Sequence, residues 1–199
     1  MNTSILRNDI LTKGAILGGV MLASRIAETT MTCYGGTIKW LIICAVEWFA
    51  MAAVYIVLLN AFTRGYARKQ LAMQQGVQHF SYGNGLSYAI LISMLAGIIV
   101  AIGGYIFLHA VIGYDNFVDG NIALILNTFS EARVEVTPEA QEMIAEMKVT
   151  PAPSIIDTLI ASVWSYLLSG AIVGAIVAIF TRRKLQIINN NEQEQHNEQ

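Results

Sequence analysis

Residues 91–111 read LISMLAGIIVAIGGYIFLHAV, without one Asp, Glu, Lys or Arg. A helix needs about 20 apolar residues to cross a bilayer, and this stretch supplies them. Residues 155–180, IIDTLIASVWSYLLSGAIVGAIVAIF, repeat the pattern with a single acid near the start. Working outward, the third block extends to 86–112, and two more apolar blocks precede it at 10–34 and 38–62. Inside hydrocarbon every backbone N–H and C=O needs an internal partner, so the four blocks should be four transmembrane helices. The expected fold is all-α: a polytopic membrane protein with one four-span domain over 1–184. The polar tail at 185–199, rich in Asn, Gln and Glu, has nothing to bury and should be disordered.

The whole chain agrees. Of its 199 residues 55% are apolar and 13% charged, where soluble domains carry about 25% charged residues. That excludes a disordered chain and argues against a soluble globular one. Twelve Lys and Arg against 14 Asp and Glu leave no positive surplus for nucleic acid. The first block is the weakest, because it holds Lys13, Arg25 and Glu28, and its competing reading is a secretory signal peptide. Against that, two charges stand where a small-residue cleavage site would lie.

Basic residues orient the spans. Arg7, Lys13, Arg64, Arg68, Lys69, Arg182, Arg183 and Lys184 fall on the side of the termini, and Lys39, Arg133 and Lys148 on the other. Eight against three predicts both termini in the cytoplasm. Residues 113–153 are then an outer loop, acidic and too long for a plain turn. Ile122, Ile125, Leu126 and Phe129 recur at i, i+3, i+4, i+7 and predict a first short amphipathic helix there. Thr137-Pro138-Glu139 starts a second, with an N-cap hydroxyl, a proline at the first helical position and a carboxylate in the first turn. Pro151 and Pro153 end it, and Ser154 with Asp157 should cap the fourth span. On the inner side, 63–82 reads as an interfacial helix. Its Arg64, Arg68 and Lys69, together with Arg182, Arg183 and Lys184, are expected to sit at anionic headgroups.

Gly14 with Gly18, and Gly170 with Gly174, are G-x-x-x-G pairs that permit close helix contact, within one bundle or between copies. The most informative residues are the charges inside the membrane. Counted from Gly35-Gly36, Arg25 and Glu47 both lie about 16 Å down antiparallel neighbours, at matched depth. Glu28 is one turn above Arg25. A charge at mid-span costs at least about 2.5–3.5 kcal/mol unless paired. An Arg25–Glu47 ion pair is therefore expected, with Glu28 sharing the guanidinium. One cation faces two carboxylates, so one of them needs another partner, a proton or water. His109 is a candidate partner, and Asp157 another neighbour. Arg25, Glu28, Glu47 and His109 thus form an expected polar site, either structural or for a substrate.

Enzyme signatures are missing: no H-E-x-x-H, C-x-x-C, G-x-S-x-G or P-loop occurs. Cys33 and Cys44 are separated in depth and should not pair. No catalytic residue, metal or cofactor is expected.

The chain resembles a family of small membrane proteins from Bacteroidota, domain of unknown function 4199. The likeness spans roughly 11–184. It rests on the four-span layout, on Phe80-Ser81-Tyr82-Gly83-Asn84-Gly85-Leu86-Ser87-Tyr88 ahead of the third span, on the acidic outer helix and on Thr181-Arg182-Arg183-Lys184. The resemblance implies membrane location but no activity. It also implies a neighbouring gene for a polyprenyl-phosphate glycosyltransferase, and so an expected connection with lipid-linked sugars. The expected role is a non-enzymatic accessory or partner subunit in the bacterial inner membrane, in contact with lipid, with an envelope enzyme or with a second copy. The alternative is a small carrier or flippase for a lipid-linked sugar or anionic substrate that uses the Arg/Glu site.

Overall fold

A chain whose apolar blocks each exceed a membrane's thickness has few ways to satisfy its backbone, and a computed structural model shows the helical one. It describes residues 3–35, 37–73 and 80–197. Helix α1 is Thr3–Gly35 and α2 is Ile38–Met73. Helix α3, Tyr82–Ile106, runs on as a π-helical segment, Phe107–Ile112. Two shorter helices, α4 (Tyr114–Ala132) and α5 (Pro138–Val149), lead to α6, Ile155–Asn197. Four stretches are long and apolar enough to cross a membrane: Leu6–Gly35, Ile42–Ala72, Tyr82–Ile112 and Ile155–Thr181. All four expected spans are present, and among the described residues there is no strand.

The spans differ from expectation mainly at the end that bears the termini. Residues 63–73 are no separate interfacial helix: α2 continues straight through Arg64, Arg68 and Lys69 to Met73. Ala, Arg, Lys, Gln and Leu are good helix formers, and extending an existing helix adds one bond for each residue fixed. Residues 74–79 of the expected segment lie outside the described ones. Helix α6 likewise runs unbroken to Asn197 through a Gln- and Glu-rich sequence. Arg182, Arg183 and Lys184 lie on that extension, with side chains outside the described ones.

Helix α3 is the centre of the bundle and its most buried span. It packs along α1 on one side and α6 on the other, while α2 rests against α1 and α6 and touches α3 more sparsely. The glycine pairs explain this arrangement. A Cβ on Gly14 or Gly18 would fall within 3.0 Å of Leu95 or Ile99. One on Gly170 or Gly174 would come within 2.7 Å of Ser93 or Ala89. Both pairs therefore serve contacts within the chain, and both seat on α3.

At the opposite end, α4 lies over α1, α2 and the π-helical segment, and among the described residues α5 packs on α4 alone. Gly113 makes the corner with φ +83°, a left-handed conformation that suits glycine. Thr137 caps α5 as expected, its Oγ accepting from the Ala140 N–H at 3.3 Å. Ser154 Oγ likewise accepts from the Asp157 N–H at 3.2 Å and donates to its carboxylate at 2.6 Å, starting α6.

A candidate ligand cleft in the bundle

Close packing of α3 on α6 and the stand-off of α2 leave a space. A cavity of about 1080 Å³ lies between α1, α2, α3 and α6, with Tyr114 and Phe117 of α4 over it. That is at the upper end of the about 300–1,000 Å³ typical of ligand pockets. Its floor is Tyr55 and Tyr166, whose rings meet edge to face at 6.3 Å. Ser93 donates its hydroxyl hydrogen to the Ala89 carbonyl at 2.8 Å, so in the 2.7 Å contact between the two hydroxyls Tyr55 is the donor. Ser162 on the α6 wall donates to the Gly97 carbonyl at 2.9 Å and closes that seam. The α2–α6 side is lined by Ala52, Ile56, Ser165, Ser169 and Ile172, all exposed in the isolated chain. The space is thus a lateral cleft, mostly apolar, with hydroxyls on its inner wall.

Arg25 projects into this cleft. Its side chain is 54% exposed and passes α3 where Gly104 leaves room; a Cβ there would sit 3.8 Å from Arg25 Cγ. Arg25 Nη1 donates to Glu28 Oε2 at 2.9 Å, and Glu28 is 19% exposed. The expected Arg25–Glu47 ion pair does not form. Glu47 instead accepts a short hydrogen bond from Ser24, and its Oε2 is buried with no partner. Glu47 meets the residue next to Arg25, and one residue along a helix turns the side chain by about 100°. Ser24 therefore faces α2, and Arg25 faces the cleft.

His109 is also displaced from its expected place and does not line the cleft. It belongs to the π-helical segment, its Nδ1–H donates to the Tyr105 carbonyl at 3.0 Å, and its ring stacks on Tyr105 and Tyr114. Its Nε2 is buried without a partner. Asp157 does line the cleft, at the start of α6.

Of the basic residues at the end that bears the termini, Arg68 is exposed, Arg64 has its Nε buried without a partner, and Lys69, itself half-exposed, reaches a buried carboxylate. Lys69 Nζ donates to Asp9 Oδ1 at 2.7 Å. Asp9 was not singled out from sequence because it falls just before the first apolar block, although an acid facing Lys69 across one hairpin was a readable signal. Among the described residues no three His, Cys, Asp or Glu side chains converge as a metal site would need.

No curated protein and no solved structure matches the chain. The model of one protein family matches residues 12–183, which run from within the first span to the end of the fourth and include α4 and α5. The chain belongs to that family, described as Protein of unknown function (DUF4199).

Proposed function

We propose that this membrane protein is a small carrier that takes an amphiphile with an anionic headgroup into the lateral cleft. The observation that carries the reading is Arg25: a half-exposed guanidinium inside a membrane-spanning bundle, aimed into a cavity of about 1080 Å³. Ionisable residues at membrane depth face cavities or partners and mark substrate paths. Glu28 engages one Nη of Arg25, leaving further guanidinium donors for a phosphate or carboxylate. The hydroxyls of Ser165, Ser169 and Tyr166 suit a polar linker, and Ile56 and Ile172 suit a tail leaving between α2 and α6.

We place it in a bacterial inner membrane with both termini cytoplasmic, a reading that the eight-to-three bias of basic residues supports. The cleft then opens in the outer half. The accessory-subunit role makes no use of the cleft and takes second place.

The test is lipid retention by the purified chain in nanodiscs, read by native mass spectrometry with phosphatidylglycerol and phosphatidylcholine as probes. Arg25→Gln should lower retained anionic lipid by about tenfold, the factor carried by one hydrogen bond to a charge. Equal retention of both lipids by wild type and variant refutes the reading. An envelope enzyme that co-purifies unchanged with the variant would favour the accessory role.

A further inference from the structure

The end of the bundle away from the cleft is shut by a polar cluster that joins three helices. Asp9 of α1 has a side chain only 9% exposed, and its two oxygens are held by different helices. Oδ1 accepts from Lys69 of α2 at 2.7 Å, and Oδ2 accepts a short bond from the hydroxyl of Tyr88 on α3. Tyr66 of α2 stacks on Tyr88 with ring centroids 4.1 Å apart and planes 7° apart, and Phe80 meets Tyr66 edge-on at 6.0 Å. Lys13, with its ammonium 5.0 Å from the Phe62 ring, adds a second positive charge near Asp9.

Along α2 the order from cleft to terminus is Tyr55, Leu59, Thr63, Tyr66, Lys69, a barrier of about 21 Å. Leu59, Thr63 and Leu17 within it have no exposed surface. A carrier's path must breach that barrier, and apolar packing alone would close it more firmly than a carboxylate taken out of water. Lys69 is 55% exposed, so once the joint parts its ammonium is solvated at no great penalty. Helix α2 is the least buried span and touches α3 sparsely, which makes it the element free to move.

We propose that Asp9, with Lys69 and Tyr88, is a releasable latch that holds α2 against α1 and α3 at the terminal end while the cleft is open at the other. Release lets α2 pivot about the Tyr55–Ser93 contact, opening this end and narrowing the cleft. The latch rests on the carrier reading of the cleft, but its test uses a different readout.

In a chain with Cys33 and Cys44 replaced by Ser, single cysteines are placed at Thr63, inside the barrier, and at Ala52, in the cleft. Reaction with N-ethylmaleimide is timed in mild detergent, where both ends are accessible. Asp9→Asn should speed labelling at position 63 by about tenfold and slow it at position 52. Lys69→Gln, at a half-exposed position that leaves the packing intact, should act in the same direction if the Asp9 variant fails to fold. Folded variants that label both positions at the wild-type rate overturn the latch. If Arg25→Gln loses anionic lipid while position 63 ignores the latch variants, the cleft reading stands and the latch falls. If position 63 responds while Arg25→Gln changes no lipid, the latch stands and the anionic ligand falls.

Discussion

Exchanging one methyl group between α3 and α6 tests the packing that creates the cleft. In Gly174→Ala the new Cβ would lie 2.7 Å from Ala89 Cβ, which is no flexible side-chain end. Carbon atoms rest at about 3.5–4.0 Å, so the two helices must part by about 1 Å. One turn away, Gly170 is seated as closely on Ser93, so the strain is shared along the seam. Overpacking of this kind costs about 1–3 kcal/mol. Ala89→Gly alone should cost about 0.5–1 kcal/mol in backbone freedom. Independent effects would sum to about 1.5–4 kcal/mol. The structure demands otherwise: in the double variant the Gly and the Ala have merely changed helices, and stability should return to within about 1 kcal/mol of wild type. Unfolding in mixed micelles titrated with SDS, followed by tryptophan fluorescence, gives the three differences. A double variant as unstable as the sum of the singles would refute close contact between these residues.

Two further predictions follow from single side-chain hydroxyls. Ser24→Ala removes the hydroxyl that bonds Glu47, whose other oxygen is buried without a partner, and should cost about 1–3 kcal/mol in the same titration; an unchanged midpoint would show that Glu47 has turned to water. Thr137→Ala deletes the cap of α5 and should cost that helix about 1 kcal/mol, read by amide exchange because α5 rests only lightly on α4. Glu139 adds an acid dependence to α5. Its own backbone N–H, then the Thr137 hydroxyl, hold its carboxyl below the ordinary glutamate range. Because the folded value is the lower one, this support is present above that range and lost as pH falls through the lowered value. Amide protection in α5 that stays flat through that acid window would refute it.

What the sequence made legible was depth. Lengths of apolar runs fixed four crossings, and counting from the Gly35-Gly36 turn set Arg25 and Glu47 at the same level. Azimuth was not legible. An ordinary helix count cannot tell whether residue 24 or 25 faces the neighbour until the contact face of α1 is known, and Gly14 and Gly18 set that face by seating on Leu95 and Ile99. The G-x-x-x-G pairs announced contact without naming the partner, because any apolar helix offers branched side chains to a glycine. His109 was misplaced for a different reason. A π-helical turn inserts a residue into the register, and nothing in FLHAVI signals it. Asp9 was overlooked because it sits on the boundary of an apolar block, where an acid ordinarily meets water.

The central position of α3 has a consequence for how the protein is made. Ribosomes deliver the spans in order, so α1 and α2 enter the membrane before the helix on which α1's glycines rest. Roughly 80 residues separate Gly18 from Ile99, several seconds of synthesis at about 5–20 residues per second. For that interval the newborn hairpin holds Arg25, Glu28 and Glu47 among lipids with its grooved face unfilled. Insertion order and assembly order therefore disagree: the first hairpin waits, its glycine grooves unfilled, until the third crossing arrives.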